Sequence, residues 1–123
     1  MNLDMLNPKM FLPVHCFVGR DLGRCYMYFL LHRQSDIRLI YLTEIYPMDI
    51  AKYIATCRNE HERFFIFTYN PYIVGHFEPE EVSLLKWVGK DEVEVIRFHE
   101  HPVVKQERSV FNSGEIWGSG GLE

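Results

Sequence analysis

Two short polar stretches, each closing an apolar run, hold the side chains best placed to do chemistry. Leu39-Ile40-Tyr41-Leu42 stops at Thr43-Glu44, and Phe64-Phe65-Ile66-Phe67 stops at Thr68-Tyr69-Asn70-Pro71. Apolar runs of this length read as buried strands, and ligands of open α/β sheets sit just beyond the strands' carboxyl ends. A carboxylate such as Glu44 in that place can act as a general base or hold a cation. A third grouping, His99-Glu100-His101, would put two imidazoles on one side of a strand, a spacing that can bind metal, but no third ligand is in view. Each grouping also has an ordinary reading. Glu44 can cap or ion-pair near a following helix, Tyr69 can be a packed aromatic, and Glu78, Glu80 and Glu81 can form a solvated acidic turn.

The chain that must position these groups has 123 residues, the usual size of one domain with one core. Apolar residues make up 47% and aromatics 15%, far from the composition of disorder. A net charge of −4 argues against nucleic-acid binding as the chain's own main task. Cys16, Cys25 and Cys57 show no CxxC spacing and read as small core hydrophobes in a reducing compartment. Asp4 and the missing basic-then-apolar opening speak against a signal peptide. The longest apolar run, residues 25–31, is too short to span a bilayer. A cytoplasmic protein is expected.

Elements alternate along the chain. Residues 10–18 contain Pro13, which demotes them to an edge strand or extended lead-in. A turn at residues 19–23 leads to residues 25–32, whose aromatics suit helix or strand and which read better as helix, and residues 38–42 read as a buried strand. Pro47 sits where a first helical residue is expected, and Ile50, Tyr53, Ile54 and Cys57 mark one helical face. After the strand at residues 64–67 come a short helical turn, a turn at residues 79–82, and two strands joined through Gly89-Lys90-Asp91. The tail, residues 113–123, holds four glycines and reads as loop. The fold class is α/β: one domain over residues 1–123, with a divergent lead-in at 1–37, a small parallel-strand core, and an antiparallel hairpin.

Motif order adds a resemblance. LIYLTE at residues 39–44 looks like a Walker B element. FFIFTYNPYIVGHFEPEEV at residues 64–82 resembles the switch-histidine region of ABC-class ATPases of the RecF, SMC and overcoming-lysogenisation-defect type. SGEIWGSGG at residues 113–121 is similar to the Gly-Glu-Leu-Trp-x-Ser-Gly close of many bacterial members, which are often encoded in phage-defence and toxin–antitoxin operons. The resemblance covers residues 38–123; residues 19–31 match the signature-motif region only loosely.

The departures from the family pattern decide what the resemblance implies. No Gly-Lys-Ser/Thr loop is present to hold a triphosphate. Thr43 stands at the metal-binding aspartate and Tyr69 at the switch histidine, so only Glu44 keeps its family residue. The implied protein is a degenerate, pseudo-ATPase scaffold: no catalytic residues, no cofactor, and remnant motif positions Thr43, Glu44, Thr68, Tyr69, Asn70 and Pro71. Its expected role is a non-catalytic interaction or regulatory subunit, paired with a larger ABC-class ATPase or nuclease of a bacterial defence complex, or self-associated. Nucleic acid would be met only through that complex, and no membrane is involved. Tyr26, Tyr28, Phe29, Trp87 and Trp117 are interface candidates, while Phe11 and Phe17 add to an aromatic lead-in that either covers the core or meets a partner. The alternative is a small metal-dependent hydrolase or nuclease built on Glu44, His99 and His101. The arrangement predicts that residues 39–42 and 64–67 are adjacent or near-adjacent parallel strands, joined by a right-handed crossover through the helix at Pro47.

Overall fold

A computed structural model describes residues 6–32, 36–42, 47–90, 92–120 and 122, leaving out the side chains of residues 47 and 48. Strand β1 (Val14–Gly19) is followed by helix α1 (Leu22–His32), β2 (Ile37–Leu42), α2 (Pro47–Asn59), β3 (Arg63–Thr68) and the single turn α3 (Pro71–Val74). A hairpin of β4 (Val82–Val88) and β5 (Glu92–Arg97) and two short helices, α4 (Pro102–Glu107) and α5 (Ser113–Gly118), complete the chain. The five strands form one sheet in the order β2-β3-β1-β4-β5. The first four are parallel and β5 is antiparallel to β4. As expected, β2 and β3 are neighbours, with Leu39 beside Phe65 and Ile40 beside Ile66, and α2 begins at Pro47.

Helices cover both faces. On one, α1 lays Leu22, Cys25 and Phe29 against Phe17, Phe65 and Phe67. On the other, α2 contributes Ile50, Ile54 and Cys57, and α3, α4 and α5 add Ile73, Val74, Val104, Ile116 and Trp117 around Cys16, Val18, Phe64 and Ile66. The step from β1 to β2 runs one way across the sheet under α1. The step from β2 to β3 runs back under α2, on the opposite face, so both crossovers have the same hand. Phe17 and Phe67 stack at 4.9 Å, and Phe29 and Phe65 meet edge to face at 5.5 Å. Cys16, Cys25 and Cys57 are free and buried. Burial pushes the Cys25 thiol up to about 12 and raises Cys16 as well, so neither is a ready thiolate.

The segment around residues 10–18 is not an edge: β1 is the middle strand, with Cys16, Phe17 and Val18 fully buried. Pro13 lies one residue before it, where its missing N–H breaks no ladder, and its carbonyl accepts from the Phe64 amide at 2.9 Å. The strand read as buried, β2, is instead the edge, and only Ile37 of its six residues is buried. The acidic turn is not simply solvated. Glu81 takes both guanidinium nitrogens of Arg58, at 2.7 and 2.8 Å, and Glu80 takes those of Arg108. The first half of the tail, residues 113–118, is not loop either. Asn112 and Glu115 form a reciprocal capping box that opens α5, and a Cβ on Gly114 would stand 1.9 Å from the Pro71 carbonyl oxygen. Two of the tail glycines, Gly114 and Gly118, let α5 close on α3.

Truncating Phe65, fully buried among the aromatics of the α1 face, should cost about 3–5 kcal/mol. Leu31→Ala, at a side chain 74% exposed, should cost less than about 0.5 kcal/mol. Urea denaturation of Phe65→Ala and Leu31→Ala measures both, and equal costs would mean the aromatic layer is not the core.

Candidate functional site

The site to inspect is the carboxyl edge of β1 and β3, where the outgoing connections leave on opposite faces of the sheet. β1 ends at Gly19, whose φ of +138° and close approach to Leu85 exclude a side chain: a Cβ would lie 2.2 Å from the Leu85 carbonyl oxygen. Only Arg20 and Asp21 separate β1 from α1. Asp21 has φ 53°, a left-handed conformation that aspartate tolerates better than most residues. Its carbonyl accepts from the Arg24 amide and from Trp87 Nε1, both at 3.3 Å, and its carboxylate lies 3.5 Å from Arg24. The Arg24 guanidinium stacks 3.7 Å over the Trp87 ring and donates to the Lys90 carbonyl.

Across from this turn, β3 ends in the stretch singled out from sequence. Thr68 is buried, and its Oγ1 accepts from the Asn70 amide at 3.1 Å. Asn70 Oδ1 accepts from the Tyr72 amide at 2.8 Å and caps α3, with Pro71 as its first residue. The Tyr69 carbonyl accepts from Trp117 Nε1 at 2.9 Å, which ties α5 to the end of β3. The Tyr69 side chain is 44% exposed and lies toward the β1–α1 turn, where Asp21, Arg20 and Tyr41 bear on its phenol. Desolvation holds the phenol above the ordinary tyrosine range, with the Asp21 amide pulling the other way. Thr68, Tyr69, Asn70 and Pro71 therefore come together as one structural corner. Thr43 and Glu44 lie outside the described residues.

The other candidates separate. Phe29 and Trp117 are buried in the core and offer no surface. Tyr26 is half-buried against Tyr41 and Phe67, at 5.4 and 5.5 Å, Tyr28 stacks on His32 at 4.5 Å, and Trp87 is half-buried under Arg24. His99 and His101 do not share one side of a strand. His99 sits in a 3-10 turn after β5, and His101 Nδ1 accepts from the Val103 amide to cap α4. Among the described residues, no group of three or more side chains is placed to hold a metal ion. No described helix is long and apolar enough to cross a membrane.

Sequence reasoning missed a pair at the opposite, amino edge. His15 Nε2 lies 2.8 Å from Ser83 Oγ, both side chains are buried, and the imidazole packs on Phe11 and Phe17 at 5.0 and 4.9 Å. The partners are far apart in sequence, and a lone histidine in an apolar strand carries no signal of such a contact. Burial first, and the Arg97 charge second, push the imidazole down to about 3, so it is neutral in the folded protein and too weak a base to activate the serine. The pair borders a cavity of about 180 Å³, also lined by Lys9 and Arg97. Comparison with protein-family models, curated proteins and solved structures found no match to this chain.

The buried imidazole has a consequence for stability. Its folded pKa lies below the unfolded value of 6.5, so the unfolded chain binds the proton first. The stabilising effect of its neutrality is complete above pH 6.5 and falls as pH drops toward about 3, by at most about 1.4 kcal/mol per pH unit. Denaturation series from pH 7.5 to 4.5 on the wild type and His15→Gln should show this slope in the wild type and a shallower one in the variant. Equal slopes would mean that His15 titrates normally in the fold.

Proposed function

We propose that this chain is a non-catalytic, ATPase-like interaction or regulatory subunit, working beside a larger ATPase or nuclease. The observation that carries the reading is the state of the β1–α1 turn. In a doubly wound sheet this is the place for a phosphate-binding loop, whose amides and helix end face an anion. Here the turn has only Arg20 and Asp21 between strand and helix. The spacing from Gly19 to Gly23 is one residue shorter than a Gly-x-x-x-x-Gly loop, and Arg24 follows where the lysine would stand. Arg24 is engaged with Trp87, Asp21 and Lys90. The basic side chain that would grip a triphosphate is spent on these partners.

The family and its setting, a cytoplasmic complex of a bacterial defence or toxin–antitoxin type, rest on the motif order at residues 39–44, 64–82 and 113–121. The sheet is compatible with it: the Walker B-like and switch-like strands are neighbours, and the lead-in supplies both a central strand and its helix. The hydrolase alternative draws no support from its histidines, which do not converge: His99 sits in a 3-10 turn and His101 caps α4.

Isothermal titration of the chain with Mg-ATP, at several hundred micromolar protein, is expected to give no saturable heat. Micromolar affinity would overturn the non-catalytic reading.

A further inference from the structure

We infer that the cavity at the amino edge is a binding site for a small monocarboxylate, an anion with a short hydrocarbon body. This goes beyond the subunit role proposed above and concerns the other edge of the sheet, so the two can fail separately. Strand register gathers the site. His15 and Phe17 alternate onto one face of β1, Phe17 is the partner of Ser83 on β4, and Ser83 is the partner of Arg97 on β5. His15, Ser83 and Arg97 therefore share the α1 face. The 3-10 turn Pro8–Met10 and the two residues after it border the same cavity. Its volume is about 180 Å³, against about 150 Å³ for a cavity that holds benzene, so a ligand of about six heavy atoms fits.

The hydrogens of the buried pair say what the ligand must offer. His15 and Ser83 are 4% and 1% exposed, Nε2 and Oγ share one hydrogen bond, and His15 Nδ1 meets no partner among the described residues. With the imidazole neutral, the pair carries two polar hydrogens, one on the ring and one on the hydroxyl, and the bond between them uses one. Either tautomer leaves the other over. It is the Ser83 O–H when Nε2–H donates, and Nδ1–H when the hydroxyl donates. A buried donor without an acceptor is costly, so the cavity calls for an acceptor. Two cations on its wall, Lys9 and Arg97, favour one that is negatively charged. Arg97 spends one nitrogen on the Met10 carbonyl, at 3.4 Å, and has further N–H groups to offer. The acid on the wall, Glu80, is neutralised by both guanidinium nitrogens of Arg108. Met10, Phe11 and Leu12 make the rest of the lining apolar, which suits a hydrocarbon body and leaves a phosphate with more oxygens than donors.

Amide NMR of the 123-residue chain, titrated with sodium butyrate at constant ionic strength, should give saturable shifts centred on Lys9, Phe11, His15, Ser83 and Arg97. A Kd of about 1 mM is expected for a ligand of about six heavy atoms. The uncharged 1-butanol should give no saturable shift up to about 50 mM, and inorganic phosphate should bind at least about fivefold more weakly than butyrate. Arg97→Gln, at an exposed side chain, should weaken butyrate at least about fivefold, while Lys52→Gln, on α2 over the other face, should leave it unchanged. No saturable shift up to about 100 mM butyrate, or shifts centred away from this cavity, overturns the inference. Butanol or phosphate binding as tightly as butyrate overturns the assignment of a carboxylate.

Discussion

β1 and β3 lie side by side in the middle of the sheet, and each must therefore present apolar side chains to both faces. That requirement organises the molecule. On one face Phe17, Phe65 and Phe67 build an aromatic layer that α1 and the chain leading into β1 cover. On the other, Cys16, Val18, Phe64 and Ile66 demand α2 and the three short helices that close over them. The helices leave the sheet on opposite faces because the central strands have two apolar sides, and the loops that diverge there form the carboxyl-edge corner. The corner is a consequence of the core.

At that corner the polar groups satisfy one another. Thr68 and Asn70 hold the turn into α3, and Trp117 anchors α5 on the Tyr69 carbonyl. Gly114 does the complementary work from below, giving α5 the room to approach Pro71. The amino edge carries the buried His15–Ser83 pair, which costs stability whenever the imidazole must be charged.

Much of the fold was legible in the sequence because its signals are local. The apolar run at residues 64–67, Pro47 as a helix opener, the spacing of Ile50, Ile54 and Cys57, and the glycine turn of the hairpin all specify structure within a few residues. The errors share one cause, that neighbours in space are not neighbours in sequence. Pro13 looked like an edge marker, but the strand starts just after it and the edge is β2. Tail glycines looked like loop, but two of them, Gly114 and Gly118, mark the tight contact of α5 with α3. Glu80 and Glu81 looked solvated because Arg108 and Arg58 are distant along the chain. For the same reason the Thr68 to Pro71 corner could be located but not interpreted, and His15 with Ser83 could not be seen at all.

The non-catalytic reading depends most on the β1–α1 turn, where Arg24 stacks 3.7 Å over the Trp87 ring, pairs with the Asp21 carboxylate and donates to the Lys90 carbonyl. NMR of the amides of residues 20–24 during titration with inorganic triphosphate reads that turn directly. Their signals should stay in place at millimolar triphosphate, as expected where the basic side chain is already engaged. A saturable shift confined to these amides would contradict the reading, because the turn would then be an anion site.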